Sequence, residues 1–393
     1  MSDPLEAQFA TLSIHADDRL NIVPDVAPPI HLATTFRYND NPDELIPEAE
    51  QTAHPDDRPI IYSRLASPNS NRFEAILSSL LKGRAIAYAS GLAAFNAAVT
   101  LLNPRRVAIG QGYHGCHAAL GIFSRLNGLK KLDLDCPAED LDRGDLIVVE
   151  TPVNPHGTAL NIAHYAEKAH SRGAYLMVDS TFAPPGLQDP FEFGADLIMH
   201  SGSKYFGGHS DMLCGVLVTR NDEWYRQLWT DRIYLGSTLG SLELWLGVRS
   251  LRTLQLRVQR ASENAEKLVA FLQGALDLKD EPAPDSDEAA VRACVAKISH
   301  ASLQKEDWVR KQMPRGFGPV FSIQLHDADK ARRLPSRLKF FHHATSLGGV
   351  ESLIEWRAMS DPRVDRRLLR ISVGIEDVED LRKDMVTAFR ELK

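Results

Sequence analysis

The stretch HSGSKYFGGHSD, residues 200–211, sets Lys204 behind two small hydroxyl residues, Ser201 and Ser203, just after the apolar run Ala195–Met199 and before a glycine pair. A lysine held behind a buried strand is partly desolvated. It loses its proton nearer neutral pH and can then act as a nucleophile or a base. Asp179 closes another apolar run, AYLMVD, at the carboxyl edge where α/β sheets hold ligands. Ser90, Gly91 and Leu92 follow AIAYAS and open a helical stretch. Glycine there permits close backbone approach, and the amides of a helix N-terminus attract phosphate. Tyr113 lies in the glycine-bracketed loop GQGYHGCH, and Arg370 sits inside the apolar strand LLRISVG. An arginine so placed needs an anionic partner, and a carboxylate gripped by two parallel bonds suits it. These parts match the needs of pyridoxal 5'-phosphate (PLP): an amine for a Schiff base, a phosphate cradle, a stacking aromatic, and a carboxylate that keeps the pyridinium protonated so the ring draws electrons.

Taken singly, each residue has an ordinary structural role. An isolated lysine is usually a solvated charge, Asp179 a helix cap or turn residue, Ser90 an N-cap, Tyr113 a loop aromatic and Arg370 one half of an internal salt bridge. Their order along the chain is what points to chemistry.

The elements that must position them belong to a chain of 393 residues, too long for one small core and suited to a large α/β unit with a second domain. Residues 1–60 are loop-rich, with Pro24, Pro28, Pro29 and the acidic NDNPDELIPEAE. They read as an arm that must bury itself against something, such as a neighbouring subunit. Next come helical NRFEAILSSLLKG, a short strand and helical GLAAFNAAVTLL, then the short β-rich runs RVAIG, KLDLD, LIVVE, AYLMVD, ADLIMH and GVLVT. Runs that do not alternate indicate strands covered on both faces. NIAHYAEKAHSRG supplies a crossover helix ending at Gly173, which gives the βαβ rhythm of a mainly parallel sheet. One long helix is expected over 240–274, linking to a smaller α+β domain. The expected limits are 61–255 for the cofactor-binding α/β domain and 256–393 for the C-terminal domain.

Composition narrows the function. The net charge is −7 and no lysine/arginine run stands out, which disfavours nucleic acid. No apolar stretch reaches the roughly 18–20 residues that span a bilayer, and MSDPLEAQFATLS is not a secretory signal. Cys116, Cys136, Cys214 and Cys294 are far apart, which argues against a disulfide scaffold or zinc site and fits a reducing, cytoplasmic compartment. The 14 histidines show no metal-like spacing.

The blocks APPIHLATTF, YSR, AYASGLAA, ETPVNP, VDSTFAPP, HSGSKYFGGHSD, LRTLQLRVQRASENA, SLGGVESLIE and LRISVGIEDVEDL run along nearly the whole chain. In this order they resemble the cystathionine γ-synthase family, the Cys/Met-metabolism PLP enzymes, and most of all its γ-replacement members from fungal secondary metabolism. The resemblance implies fold-type I, a large mainly parallel-sheet domain plus a smaller C-terminal α+β domain. It also implies a homotetramer built as a dimer of dimers with shared active sites. Lys204 is then the PLP lysine and Asp179 the partner of the pyridine nitrogen. Tyr113 stacks on the ring, and Ser90, Gly91, Leu92, Ser201 and Ser203 bind the phosphate. Tyr62 and Arg64 reach the phosphate of the partner subunit, and Asn154, Ser346 and Arg370 position the cofactor oxygen or the substrate carboxylate. The implied reaction is γ-replacement or elimination on an activated homoserine such as O-acetyl-L-homoserine, through a β,γ-unsaturated (vinylglycine-type) intermediate, with Lys204 taking the Cα proton.

Two departures bear on the nucleophile. Family members that handle cysteine or cystathionine commonly carry glutamate before the YSR tyrosine and in the phrase ESLGG. Here those positions are Ile61 and Thr345. An incoming ammonium would lack its charge partners and be costly to desolvate, which suggests a carbon nucleophile such as a β-keto acid or ester, or an amine. The plainer alternative is a conventional cystathionine γ-synthase or a γ- or β-lyase, with other residues binding cysteine. A third is a catalytically silent subunit, disfavoured by the retention of Lys204, Asp179, Tyr113 and Arg370. Smaller departures are His114 for a glycine, Ser67 for an asparagine and Trp356 for a histidine. His114 and His117 read as loop residues, and Cys116 as a packing residue.

Overall fold

The computed structural model of the protein describes residues 6–392. A short helix α1 (Phe9–His15) precedes a long irregular segment that lasts until α2 (Pro68–Leu81). Ser67 caps α2 reciprocally with Ser70, each side chain accepting the other's backbone N–H.

Next come β1 (Arg84–Tyr88), α3 (Gly91–Leu102), β2 (Arg106–Ile109), α4 (His114–Asn127), β3 (Lys130–Asp133), β4 (Leu146–Glu150), α5 (Ile162–His170), β5 (Tyr175–Asp179), β6 (Leu197–Ser201) and β7 (Gly215–Thr219). The sheet order is β1-β7-β6-β5-β4-β2-β3. All neighbours are parallel except β7, which runs antiparallel to both β1 and β6. Every strand but β7 therefore ends at the same edge. The apolar runs divide between two cores: Ala85, Ala87, Ile147 and Val149 pack on one face, Ile86, Tyr88, Leu146 and Val148 on the other. Both faces are covered, which is why the strand sequences do not alternate.

The helical run expected over 240–274 is two helices, α7 (Ser241–Leu251) and α8 (Leu254–Asp277), after α6 (Asp222–Leu235). The break falls at Arg252–Thr253, where Thr253 leaves helical geometry with ψ at 11°. Leu254 and Val258 of α8 join the first core, while Ala265, Leu268 and Leu272 join that of the C-terminal sheet. Helix α5 ends at His170, short of the expected Gly173, whose left-handed φ of 68° completes the turn into β5.

The C-terminal part contains α9 (Asp287–Cys294), β8 (Val295–Ser299), α10 (Asp307–Gln312), β9 (Val320–Leu325), α11 (Ala328–Arg333), β10 (Phe341–His343), β11 (Ser352–Trp356), β12 (Leu368–Ser372) and α12 (Val378–Glu391). Its sheet runs β10-β11-β12-β9-β8 and is antiparallel apart from the β10–β11 pair. The register sets Glu355 of β11 beside Arg370 of β12. No helix among the described residues is long and apolar enough to cross a membrane.

Candidate active site

The shared carboxyl edge of the large sheet gathers the chemistry. Asp179 ends β5, Ser201 ends β6, Lys204 lies in the turn beyond it, Ser90 follows β1, and Glu150 ends β4. The Lys204 turn is fastened from below. The Lys204 N–H donates to the Ser201 carbonyl (3.1 Å), and the Gly208 N–H donates to the Lys204 carbonyl (2.7 Å). Arg257 of α8 donates to the carbonyls of Tyr205 (2.9 Å) and Ser250 (2.8 Å). Gly208 has a φ of 69°, and a Cβ there would lie 1.9 Å from Arg257 Nη1, so only glycine fits.

From the C-terminal sheet, the SLGG turn closes over the lysine. Lys204 Nζ donates to Ser346 Oγ at 2.7 Å. Ser346 adopts a left-handed φ of 74°, uncommon for a residue with a side chain, and its carbonyl accepts from Arg370 Nη2 at 2.7 Å. Burial, helped by the Arg370 charge and opposed by Glu355 and Asp179, pulls the amine down to about 8. A substantial neutral fraction is thus present near physiological pH.

Asp179 is buried. Its Oδ1 accepts from the Thr181 N–H (3.0 Å) and the Thr181 hydroxyl (2.5 Å), and the same hydroxyl accepts from the Ser201 N–H (2.8 Å). Burial raises the carboxyl above its usual range, while the Thr181 bonds and the Lys204 charge pull it back. Across the β4–β5 register stands Glu150. Its two oxygens accept from the backbone N–H groups of Tyr113 (2.8 Å) and Asn154 (2.7 Å). Burial and the neighbouring Asp179 push the Glu150 carboxyl up to about 8. One side chain therefore sets the positions of two candidate site residues.

Ser90 caps α3 by accepting from the Ala93 N–H at 3.1 Å. The helix end is pressed against β6 and β7: a Cβ at Gly91 would lie 3.2 Å from Ser201 Oγ, and one at Gly215 only 2.0 Å from the Ser90 carbonyl oxygen. Leu92 is half-buried in the first turn. The Ser203 hydroxyl accepts from the Cys214 N–H at 2.9 Å and faces the start of β7. Tyr113 precedes α4 with its ring 40% exposed, and the unbranched backbone of Gly115 makes room for that ring. His114 tilts against the ring at 5.0 Å. Burial and Lys131 hold His117 below the usual imidazole range. Cys116 is buried and its thiol is pushed up by that burial. Tyr113, Cys116, Glu150 and Asp179 line one cavity with Phe95 and Met199.

Arg370 is buried and well anchored. Nη1 donates to Asn154 Oδ1 (3.0 Å), and Nη2 lies 2.7 Å from Glu355 Oε2. The salt-bridge reading of Arg370 is thus realised in part, and the side chain still borders Lys204. Tyr62 and Arg64 stand apart. The Arg64 guanidinium lies over the Tyr62 ring and donates to the Ile233 carbonyl at 3.2 Å. Among the described residues, neither is hydrogen-bonded to Ser90, Ser201 or Lys204. Trp356 donates to the Arg366 carbonyl at 2.6 Å.

Four residues of this arrangement escaped the sequence reading: Glu150, Thr181, Glu355 and Arg357, the last donating from Nη1 to Glu355 Oε2 at 2.7 Å. The signal for Glu150 was present, since it ends LIVVE as Asp179 ends AYLMVD. Glu355 lies in the apolar SLIEW as Arg370 lies in LLRIS. Thr181 and Arg357 carry no such mark.

The residues present fit PLP. A buried amine is poised between protonation states, a buried carboxylate is pinned on one oxygen, and a helix N-terminus is stripped of side chain where it meets Ser201. An uncovered aromatic ring lies at the same edge. Fold and site together define a fold-type I PLP-dependent enzyme. The family described as Cys/Met metabolism PLP-dependent enzyme is matched over residues 10–390. Similar curated proteins include the cystathionine γ-lyase of Saccharomyces cerevisiae (32% identical, 98% of each chain covered) and the cystathionine γ-synthase of Escherichia coli (31%, 93% of each). Among solved structures, metB from Corynebacterium glutamicum superposes with a TM-score of 0.86 at 29% identity over 100% of both chains. The cystathionine γ-synthase of Xanthomonas oryzae pv. oryzae in complex with aminoacrylate and cysteine gives 0.85 at 27% over 99% of both. The chain belongs to the Cys/Met metabolism PLP-dependent family, and PLP is its cofactor.

Proposed function

We propose that the protein catalyses γ-replacement on an activated homoserine, with O-acetyl-L-homoserine as the amino-acid substrate. The nucleophile is not cysteine but a carbon nucleophile such as a β-keto acid or ester, or an amine, as in secondary metabolism. When bound, PLP supplies the electron sink for loss of protons from substrate carbons. Lys204 Nζ, its affinity for protons lowered by burial, accepts and returns those protons, and Ser346 Oγ fixes its direction. Asp179 holds a proton at the ring nitrogen, with Thr181 keeping the carboxylate in place. Ser90, Gly91, Leu92, Ser201 and Ser203 would hold the phosphate of PLP. Arg370, steadied by Asn154, takes the substrate α-carboxylate. Burial keeps the Tyr113 phenol above its usual range, so it covers the ring as a neutral aromatic.

The observation that carries the choice of nucleophile is the pair Ile61 and Thr345. Ile61 is apolar and half-buried beside Tyr62, and Thr345 is exposed one residue before the Ser346 that touches Lys204. Neither offers a carboxylate to an ammonium group arriving there. The test is to incubate the enzyme and O-acetyl-L-homoserine with cysteine and, separately, with acetoacetate-type compounds. Carbon adducts are expected; rapid cystathionine formation with no carbon adduct would sink the proposal. The competing reading, a conventional cystathionine γ-synthase or lyase, draws its support from the names of the relatives.

The same reading takes the active unit as a cytoplasmic homotetramer with sites shared within each dimer. Residues up to 60 act as an arm on the neighbouring subunit, 61–255 as the PLP-binding domain and 256–393 as the C-terminal domain, with α8 as the link. Support comes from the arm itself, where Ile22, Val26, Leu32 and Tyr38 are exposed apolar side chains, a surface that suits a second copy. Tyr62 and Arg64 are exposed and, in this reading, meet a partner's phosphate. Sedimentation at micromolar concentration tests this; a monomer that retains full turnover would exclude shared sites.

A further inference from the structure

Behind Arg370 lies a second arginine with which it shares one carboxylate. Glu355 Oε2 is 2.7 Å from Arg370 Nη2 and 2.7 Å from Arg357 Nη1. The three residues are 3%, 4% and 6% exposed for Glu355, Arg370 and Arg357. Two guanidinium groups against one carboxylate leave a net positive charge in a buried site. Arg357 also has a donor to spare, since its Nε is buried without a hydrogen-bond partner.

The donor geometry of Arg370 gives this surplus a purpose. A guanidinium offers a carboxylate two edges, Nη1 with Nη2 and Nε with Nη2, and Nη2 belongs to both. Here Nη2 donates to the Ser346 carbonyl and lies 2.7 Å from Glu355 Oε2 in an ion pair. A substrate carboxylate that takes a two-bond grip must use Nη2, and so comes up against the Ser346 carbonyl and Glu355. Glu355 is the anion of the two, and like charges drawn together in a buried site repel. Glu355 already touches Arg357, so it need only release Arg370. Two cations then face two anions. Without Arg357 the same event would leave two buried anions on one cation, a costly arrangement.

We propose that Arg357 is a positioning residue for substrate recognition: it retains Glu355 when an amino-acid carboxylate engages Arg370, so that binding exchanges one buried ion pair for another. This rests on the reading of Arg370 as the carboxylate partner, and the experiment separates the two. The PLP-loaded enzyme is titrated, by its absorbance change, with L-2-aminobutyrate and with n-propylamine, the same molecule without its carboxylate. Arg357→Gln should weaken L-2-aminobutyrate about tenfold or more and propylamine less than about twofold, as expected when one buried charge loses its partner. Arg357→Lys should recover most of the loss, and with O-acetyl-L-homoserine the defect should fall on KM rather than kcat. In a Glu355→Gln background, where no anion must be rehoused, Arg357→Gln should have little further effect; that double variant also decides the matter if Arg357→Gln alone folds poorly. Equal weakening of the acid and the amine, or an equal effect in the Glu355→Gln background, would reduce Arg357 to a structural role. If Arg357→Gln changes nothing while Arg370→Met abolishes the preference for the acid, the inference fails and the reading of Arg370 stands. If Arg370→Met also changes nothing, both fall.

Discussion

Lys204 Nζ and Ser346 Oγ lie 2.7 Å apart although 142 positions separate them in the chain. The first sits beyond the large sheet and the second on a turn of the C-terminal sheet, so the reactive amine is oriented only when the two parts are packed together. Gly348 tightens the join: a Cβ there would lie 3.0 Å from the Lys204 backbone.

The amine is predicted to titrate near its lowered value of about 8 rather than at the usual lysine range. Only the neutral form attacks an aldehyde, so PLP uptake by cofactor-free protein should quicken as pH rises to about 8 and level off beyond it. Ser346→Ala removes an acceptor that favours the ammonium form, so the midpoint should move lower. Stopped-flow absorbance against pH reads both. A rate still climbing at pH 10 would contradict the burial argument. Lys204→Ala should lose the absorbance band of the lysine-bound cofactor altogether.

Asp179→Asn keeps the shape and removes the charge proposed to hold the ring-nitrogen proton. Turnover should fall by at least about 10²-fold, in line with the loss of a positioned proton-holding group. The cofactor should remain attached through Lys204, visible as a retained absorbance band. Thr181→Val, which removes the hydroxyl that donates to Asp179 and accepts from the Ser201 N–H, should produce a smaller defect of the same kind and a stability loss of ~1–3 kcal/mol. Urea unfolding measures the second effect. A Thr181→Val enzyme with normal turnover would show that the carboxylate needs no second anchor.

Gly215→Ala probes the phosphate cradle without touching a polar group. The added methyl would come within 2.0 Å of the Ser90 carbonyl and 2.9 Å of Gly91 Cα, so the N-terminus of α3 must move. A cost of ~1–3 kcal/mol in stability is expected from such overpacking, together with weaker PLP retention on dialysis. Normal retention would mean that the phosphate is held elsewhere.

Lys204, Asp179 and Arg370 were legible because each is a charge at the end of, or inside, an apolar run, and burial of a charge demands an explanation. Five of the six short strands from RVAIG to GVLVT were legible because an apolar run bounded by turn residues has few alternatives; the sixth, in KLDLD, is a largely exposed edge strand that alternates with charge. Glu150 and Glu355 meet the first criterion, but their importance lies in cross-strand register, which no local pattern encodes. Thr181 reaches Asp179 through a local turn, with a hydroxyl of ordinary composition that carries no mark of its own; Ser346 was named through the resemblance alone, and its contact with Lys204 is made only by the fold. The break between α7 and α8 was hidden because LGVRSLRTLQLRV keeps helical periodicity on both sides, and one residue with changed ψ divides it.

The choice of nucleophile makes the sharpest demand on substitution. Cysteine must present its thiol to the reacting carbon and still shed water from its distal ammonium, and that cost is met only if a carboxylate waits for it. Ile61 and Thr345 supply none. Glu351, the first of the two acidic residues of the adjoining VESLIE, is hydrogen-bonded to the Ser210 hydroxyl. Ile61→Glu with Thr345→Glu should therefore improve kcat/KM for cysteine by about tenfold or more, the effect expected for one well-paired, partly desolvated ion pair. It should lower the use of an acetoacetate-type nucleophile, whose own negative charge would now be repelled. Because both positions lie near the surface, the gain for cysteine should shrink as salt is raised. Competition between the two nucleophiles in one reaction, read by product ratio with O-acetyl-L-homoserine fixed, cancels any change in cofactor content or folding. A ratio that does not move toward cystathionine in the double variant would show that charge at these two positions does not select the nucleophile.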